Sequence, residues 1–420
     1  VNKFTQYYNI YLQSTITNGA SVQKTTDRFI SSFANAAYTF DNRYTLTASA
    51  RQDAANLFGV ATNQRGRPLW STGVAWQVNS EKFYNIGWLP SLKLRATYGY
   101  NGNISRLASA FTTVSFFSAN TTPLTTATIV NPPNEKLRWE KINMLNIAVD
   151  FSTKNKVISG SIEYYHKSAK DLLGQAPADP TTGLSNESGE SFYYGNVASM
   201  RGSGFDVSIN TKNISGKFNW QTDWLFSYAT SKITDYLLPA GNASSGNLQV
   251  NSFYINPVEG RPVYSVYSYP WAGLEAATGN PLGMLAGKPT TEYNSIAQQS
   301  IDSITYNGPA QPVCYGAVRN TLQWNNITLS FNISYKLGYY FRSQSIDYNT
   351  LFGSWSGHAD YALRWQQPGD EQHTSVPSLL YPSDSQRDVF YNYSSVLVEK
   401  ADNIRLEDIS ISYDIDKAQC

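Results

Sequence analysis

Three stretches of this chain alternate apolar and polar residues, and that period of two limits the fold more than any other feature. From Phe218 to Tyr228, the residues Phe218, Trp220, Trp224, Phe226 and Tyr228 share one parity, and Asn219, Gln221, Asp223 and Ser227 share the other. From Ile327 to Tyr335, Ile327, Leu329, Phe331, Ile333 and Tyr335 oppose Thr328, Ser330, Asn332 and Ser334. From Leu92 to Tyr100, Leu92, Leu94, Ala96, Tyr98 and Tyr100 oppose Lys93, Arg95 and Thr97. Successive side chains of a strand point to opposite faces, so each stretch is a ribbon with one apolar and one polar side. A soluble sandwich alternates too. These ribbons are longer, roughly 9–13 residues, which is what a tilted membrane strand needs.

The connections favour a membrane barrel as well. Short ones, at 41–43, 153–156, 213–216 and 325–326, take turns with long ones near 51–69, 101–138, 168–202, 231–317 and 338–403. Barrels of the outer membrane place short turns on one side and long loops on the other. About twelve spans are expected: near 4–12, 33–40, 44–51, 70–79, 92–100, 139–151, 157–167, 203–211, 218–230, 318–324, 327–337 and 404–415. In the last, Ile404 and Leu406 fall on one parity and Ile409, Ile411, Tyr413 and Ile415 on the other, so a β-bulge near Glu407-Asp408 is expected. Residues 80–91 are too long for a tight turn; Ser80-Glu81-Lys82-Phe83 is expected to form a helical turn before Pro90.

Composition agrees. The chain has 30 Tyr, 10 Trp and 19 Phe, 14 % aromatic in all, against 15 % charged. Tyr and Trp suit boundaries between water and an apolar phase. No apolar run approaches the ~20 residues of a transmembrane helix. A net charge of +1 argues against a nucleic-acid partner. Cys314 and Cys420 cannot form a disulfide framework, and His166, His358 and His373 lack ligand spacing, so no metal is expected. No nucleophile elbow, zinc-protease, P-loop or dinucleotide motif is present, so no catalytic residue, no cofactor and no enzyme activity is expected. Gly202-Ser203-Gly204 reads as a flexible lead-in to a strand. The long loops hold Tyr193, Tyr194, Trp271, Phe352 and Trp355 among many Asn, Ser, Thr and Gly. Exposed aromatics with amides and hydroxyls suit sugar or peptide binding, and Tyr193, Tyr194, Trp271 and Trp355 are the candidates.

Several segments resemble one family. Tyr38-Thr39-Phe40-Asp41-Asn42-Arg43-Tyr44 continues through Leu46-Thr47-Ala48-Ser49 to Arg51-Gln52-Asp53, and Phe58-Gly59 and Asn63-Gln64-Arg65-Gly66-Arg67-Pro68 follow. Gly73-Val74-Ala75-Trp76 with Glu81-Lys82-Phe83, Leu92 to Asn103, Asn131-Pro132 and Leu137-Arg138-Trp139-Glu140-Lys141 come next. Later come Glu259-Gly260-Arg261-Pro262, Tyr269-Pro270-Trp271-Ala272-Gly273-Leu274, Arg364-Trp365, Pro368-Gly369-Asp370 and Ile404-Arg405-Leu406-Glu407-Asp408. In order and spacing these resemble the SusC/RagA-type TonB-dependent transporters of the Bacteroidetes.

The resemblance implies an all-β, antiparallel transmembrane barrel of about 22 strands with a plugged lumen, of which residues 1–420 would be one partial barrel domain. It puts the plug, the TonB box, the early strands and the last strands outside these residues; Val1 already falls in what reads as a strand. It implies active import of oligosaccharides or oligopeptides across the bacterial outer membrane. The implied partners are a SusD/RagB-like lid lipoprotein, the TonB–ExbB–ExbD complex and outer-membrane lipid. The alternatives are a TonB-dependent siderophore or cobalamin receptor and a surface β-rich glycan-binding protein.

Overall fold

The computed structural model describes residues 2–5, 13–16, 28–55, 66–103, 111–118, 125–177, 192–238, 241–249 and 257–415. Among them, eleven strands form one antiparallel sheet in which every strand pairs with its neighbours in chain order. They are β1 (Phe29–Phe40), β2 (Tyr44–Ala55), β3 (Gly66–Gln77), β4 (Ser91–Asn103), β5 (Glu140–Ser152), β6 (Ile158–Pro177), β7 (Phe192–Ile214), β8 (Phe218–Tyr236), β9 (Cys314–Trp324), β10 (Ile327–Leu337) and β11 (Asn403–Tyr413). The sheet is an open wall, with β1 and β11 at its edges. The span expected at 4–12 is not part of it. Strand Asn2–Thr5 pairs with Gln13–Ile16 as a separate hairpin, and residues 6–12 lie outside the described residues.

Register carries the alternation across the whole wall. One row runs Val207–Phe226–Gly316–Tyr335–Ile404, and another runs Ile209–Trp224–Val318–Ile333–Leu406. Farther along, Tyr38–Leu46–Val74–Ala96–Ile147–Tyr164 stand side by side on the same face. The expected face holds: Trp220, Trp224, Phe226, Leu329, Phe331 and Ile333 share one side, and Asn219, Gln221, Asp223, Ser330 and Asn332 the other. The apolar side stays uncovered, with Tyr38 67 %, Leu46 53 % and Val74 56 % exposed. An uncovered apolar face that spans a whole sheet far exceeds what a water-soluble monomer shows, and it is what lipid requires.

The bulge expected in the last strand is present. Asn332 pairs with Asp408 and Ile333 with Leu406, so Glu407 is the extra residue that returns both halves of β11 to one apolar face. Tight turns close one end. Asp41, Asn42 and Asn325 take positive φ (50°, 51° and 50°), which Asn and Asp tolerate better than other side chains. The 78–90 connection has its helical turn at Val78–Ser80, slightly earlier than expected, with no side-chain cap. Glu81 follows it and ties this end together, accepting from Arg43 Nη1 and Trp76 Nε1 at 3.0 Å each.

The expected loop 168–202 is mostly strand. β6 and β7 stay paired out to Pro177 and Phe192, and with β8 they run 20, 23 and 19 residues. A membrane strand needs only about 9–11 residues, so this hairpin stands well above the bilayer. The alternation fades there because both faces meet water, and that hid the strands in the sequence.

The connections 237–313 and 338–402 fold into one unit at the long-loop end. One core gathers Leu248, Tyr267, Tyr269, Tyr293, Ile296 and Ile301 around Phe390; a second gathers Ile346, Tyr348, Val376, Tyr391 and Leu397. Two helices from the second connection, α1 (Tyr348–Ser354) and α2 (Ser385–Asn392), supply much of both. Asp384 caps α2 by accepting from the N–H of Gln386 at 2.9 Å and of Arg387 at 3.3 Å.

Candidate functional site

The wall's polar face carries paired charges. Arg95 donates twice to Asp150, at 2.7 and 2.9 Å, and lies 3.8 Å from Glu163. Arg319 grips Asp408 in the same two-pronged way, at 3.1 and 2.9 Å, and donates to Ser330 at 3.0 Å. Asp206 accepts from Ser227 at 2.6 Å. These pairs fall at alternate positions of β4, β5, β6, β9 and β11, so the period that builds the apolar face also builds a wet, charged one. Among the described residues no three His, Cys, Asp or Glu side chains come together as a metal ion would require.

The loop unit is held by interactions between its two segments. Phe390 of α2 enters the first segment's core, stacking at 5.4 Å on Tyr269, 5.2 Å on Tyr293 and 6.4 Å on Trp271. Arg387, 2 % exposed, donates to Asn280 Oδ1 at 2.8 Å and to the carbonyl of Ser378 at 2.8 Å. Burial lowers the pKa of this guanidinium below its ordinary value. Asp388 beside it accepts the Asn349 N–H at 2.9 Å, and burial pushes its carboxyl up to about 6. Tyr269 and Tyr391 are pushed up to about 12 by burial, so their hydroxyls stay protonated. Where the loop unit meets the polar face of β6 to β9 there is a cavity of about 600 Å³, bounded by Tyr165, Lys167, Tyr315 and Tyr264.

The four candidate aromatics fall in three different settings. Tyr193 and Tyr194 are not loop residues. They sit in β7 opposite Ala176 and Gln175, high on the projecting hairpin, with Tyr194 36 % exposed. Trp271, expected as an exposed aromatic, is instead half-buried against both loop cores and stacked on Phe390. Its ring partners Phe390 and Tyr391 lie more than a hundred residues away in sequence, beyond local pattern. Trp355 is 91 % exposed, at φ 57° just after α1, with Leu363 (62 %) and Tyr381 (78 %) also exposed on the second segment. The cavity was missed. Its one sequence signal was Gly202-Ser203-Gly204, which lies inside β7 rather than ahead of a strand.

A long, open antiparallel wall with a lipid face, a charged face and a folded cap of loops at one rim defines the class: part of a large outer-membrane β-barrel. The family model for the β-barrel of TonB-dependent receptor-like proteins matches residues 2–279. The chain belongs to that family and resides in the bacterial outer membrane, and it is similar to the SusC and RagAB proteins. TonB-dependent receptor P26 of Formosa agariphila is 26 % identical over 404 residues, covering 91 % of this chain and 39 % of the relative. TonB-dependent receptor SusC of Bacteroides thetaiotaomicron is 25 % identical over 413 residues, covering 93 % and 38 %. The chain therefore spans about two-fifths of the length of these relatives. The RagAB peptide importer in its open-open state shares the fold, with a TM-score of 0.74 at 20 % identity over 98 % of this chain and 43 % of that one. These relatives are receptors and transporters by name, not enzymes.

Proposed function

We propose that residues 1–420 are one partial barrel domain of an active importer of oligomeric nutrients, oligosaccharides or oligopeptides. In this reading the apolar face meets outer-membrane lipid, the charged face lines the lumen, and the loop unit forms the extracellular vestibule. The plug, the TonB box and the remaining strands lie in segments outside these residues, and through them the TonB–ExbB–ExbD complex supplies energy. The observation that carries the reading is the two-segment loop unit seated over the polar face of the wall. A passive pore needs no folded structure of that size at its rim, whereas capture of a large solute does. A SusD/RagB-like lipoprotein lid is the proposed partner; SusC and RagAB are the relatives that suggest it. Trp355, Tyr193 and Tyr194 are the proposed contacts for lid or cargo, while Trp271 supports the unit from within.

The test is growth of a strain lacking the full-length protein. Growth on an oligomer as sole nutrient should fail while growth on its monomer is unaffected, and the lipoprotein should co-purify with the wild-type transporter. A defect confined to iron or cobalamin limitation would instead establish the receptor alternative.

A further inference from the structure

The cavity between wall and loop unit is built, and its construction indicates what fits. The row of the polar face just below it carries Glu163 opposite Asp206. At the cavity the rows change. Tyr165 lies opposite Gly204, which lies opposite Ala229; Lys167 lies opposite Gly202, which lies opposite Ser231. Three small residues in two adjacent rows, Gly202, Ala229 and Ser231, remove side-chain volume from the floor, and the fourth, Gly204, lies beneath the Tyr165 ring. A Cβ at Gly204 would stand 2.5 Å from the Tyr165 hydroxyl, so the ring lies across a position that only glycine leaves open. Tyr315 gives a second ring from β9, and Val263, Tyr264 and Pro312 form the roof. The volume, about 600 Å³, suits the end of a short oligomer.

The lining is mainly apolar and aromatic, and prolines 262, 309 and 312 bring no backbone N–H to it. A sugar, ringed by hydroxyls, needs several fixed donors and acceptors, and these walls offer few. One cation stands out. Lys167 Nζ sits 4.8 Å from the centre of the Tyr165 ring, and among the described residues no carboxylate pairs with it. Two acids on the same face are engaged elsewhere, Asp206 with Ser227 and Glu163 beside Arg95. An ammonium fixed at the edge of an apolar cavity, with no anion of its own, complements a single carboxylate.

We propose that this cavity binds the carboxyl end of a short apolar peptide, its last side chain against Tyr165, Tyr264 and Tyr315 and its carboxylate on Lys167. The inference rests on the import reading above and narrows its cargo to peptides at this subsite. The experiment is calorimetric titration of the purified full-length transporter in detergent. The probes are acetyl-Ala-Ala-Phe with a free carboxylate, the same peptide as its C-terminal amide, and maltotriose. The free acid should bind about tenfold tighter than the amide or better, as a charge-assisted hydrogen bond implies, and maltotriose should not compete. Lys167→Met should make acid and amide equal. Ser231→Trp, which fills the cavity from an exposed position, should abolish binding of both. Heat-modifiable gel mobility would verify that each variant still forms a barrel. Equal binding of acid and amide by the wild type, preference for maltotriose, or no binding of any probe overturns the proposal. If the acid is preferred yet the deletion strain grows normally on oligomers, only the import reading falls. If uptake is lost in that strain but acid and amide bind alike, only this inference falls.

Discussion

Phe331 and Asn332 are neighbours in sequence and stand on opposite faces of β10, in the rows of Ile409 and Asp408 respectively. Phe331→Arg would place a cation in lipid and should cost about 2–4 kcal/mol near mid-bilayer, whereas Asn332→Ala, in the wet lumen, should cost little. A refolding titration into lipid vesicles measures both, and the reverse ranking would mean the faces are assigned backwards. Asp388 sets a second expectation at this scale. It is 4 % exposed, and burial raises its carboxyl from an ordinary 3.8 to about 6, against the opposing pulls of the Asn349 N–H and then Arg387. Between those values the folded unit holds a proton that the unfolded chain has released. Its stabilising contribution is therefore complete below the unfolded value and is lost as pH rises through about 6. The loop unit should be more stable at pH 5 than at pH 7.5 by on the order of 1 kcal/mol from this group. Asp388→Asn should flatten that dependence in thermal melts followed by limited proteolysis of the loops; an unchanged slope would assign the dependence to another group.

Among the strands, β11 shows how a single residue holds a face. Glu407 has no partner in the register, and its insertion is what lets Ile404 and Leu406 join Ile409 and Ile411 on the apolar side. Deleting Glu407 alone should make the pairing unbroken, because Leu406, Asp408 and Ile409 then alternate regularly and every apolar side chain keeps its face. Heat-modifiable mobility should then show folded barrel at near wild-type yield, whereas deleting both Glu407 and Asp408 sets Leu406 beside Ile409, turns one half of the strand over and should cause a large loss. A large loss in the single deletion would show that the bulge itself is needed. The slip in parity between Leu406 and Ile409 was readable in the sequence, because lipid enforces alternation. The upper halves of β6 and β7 were not readable, because in water Gly195, Asn196 and Ser199 are as acceptable on either face as Leu172 or Gln175.

For the whole molecule, the question is whether the two long loops form one unit. Phe390 stacks on Tyr269 and Tyr293, and Arg387 binds Asn280, so each loop completes the other's core. Phe390→Ala should cost about 3–5 kcal/mol locally. Both 237–313 and 338–402 should then become protease-sensitive together while the wall stays heat-modifiable. Cleavage confined to the second loop would show that the two fold separately. Such a variant should also lose lid association or uptake if the unit forms the vestibule.

The sequence by itself determined the wall. Lipid on one side and water on the other force a period of two, and that period located all eleven strands of the wall, the two faces, the bulge and the side on which the long loops lie. It also carried, in the order of its short motifs, the family to which the chain belongs. The tertiary structure alone decided what the loops are. Trp271 reads as an exposed platform until Phe390, 119 positions later, is found stacked on it, and the cavity beside Lys167 exists only because Gly202, Ala229 and Ser231 meet across two strands under a roof from another segment. Such contacts follow from chain closure over long separations rather than from local chemistry, and no repeating pattern in the sequence marks them.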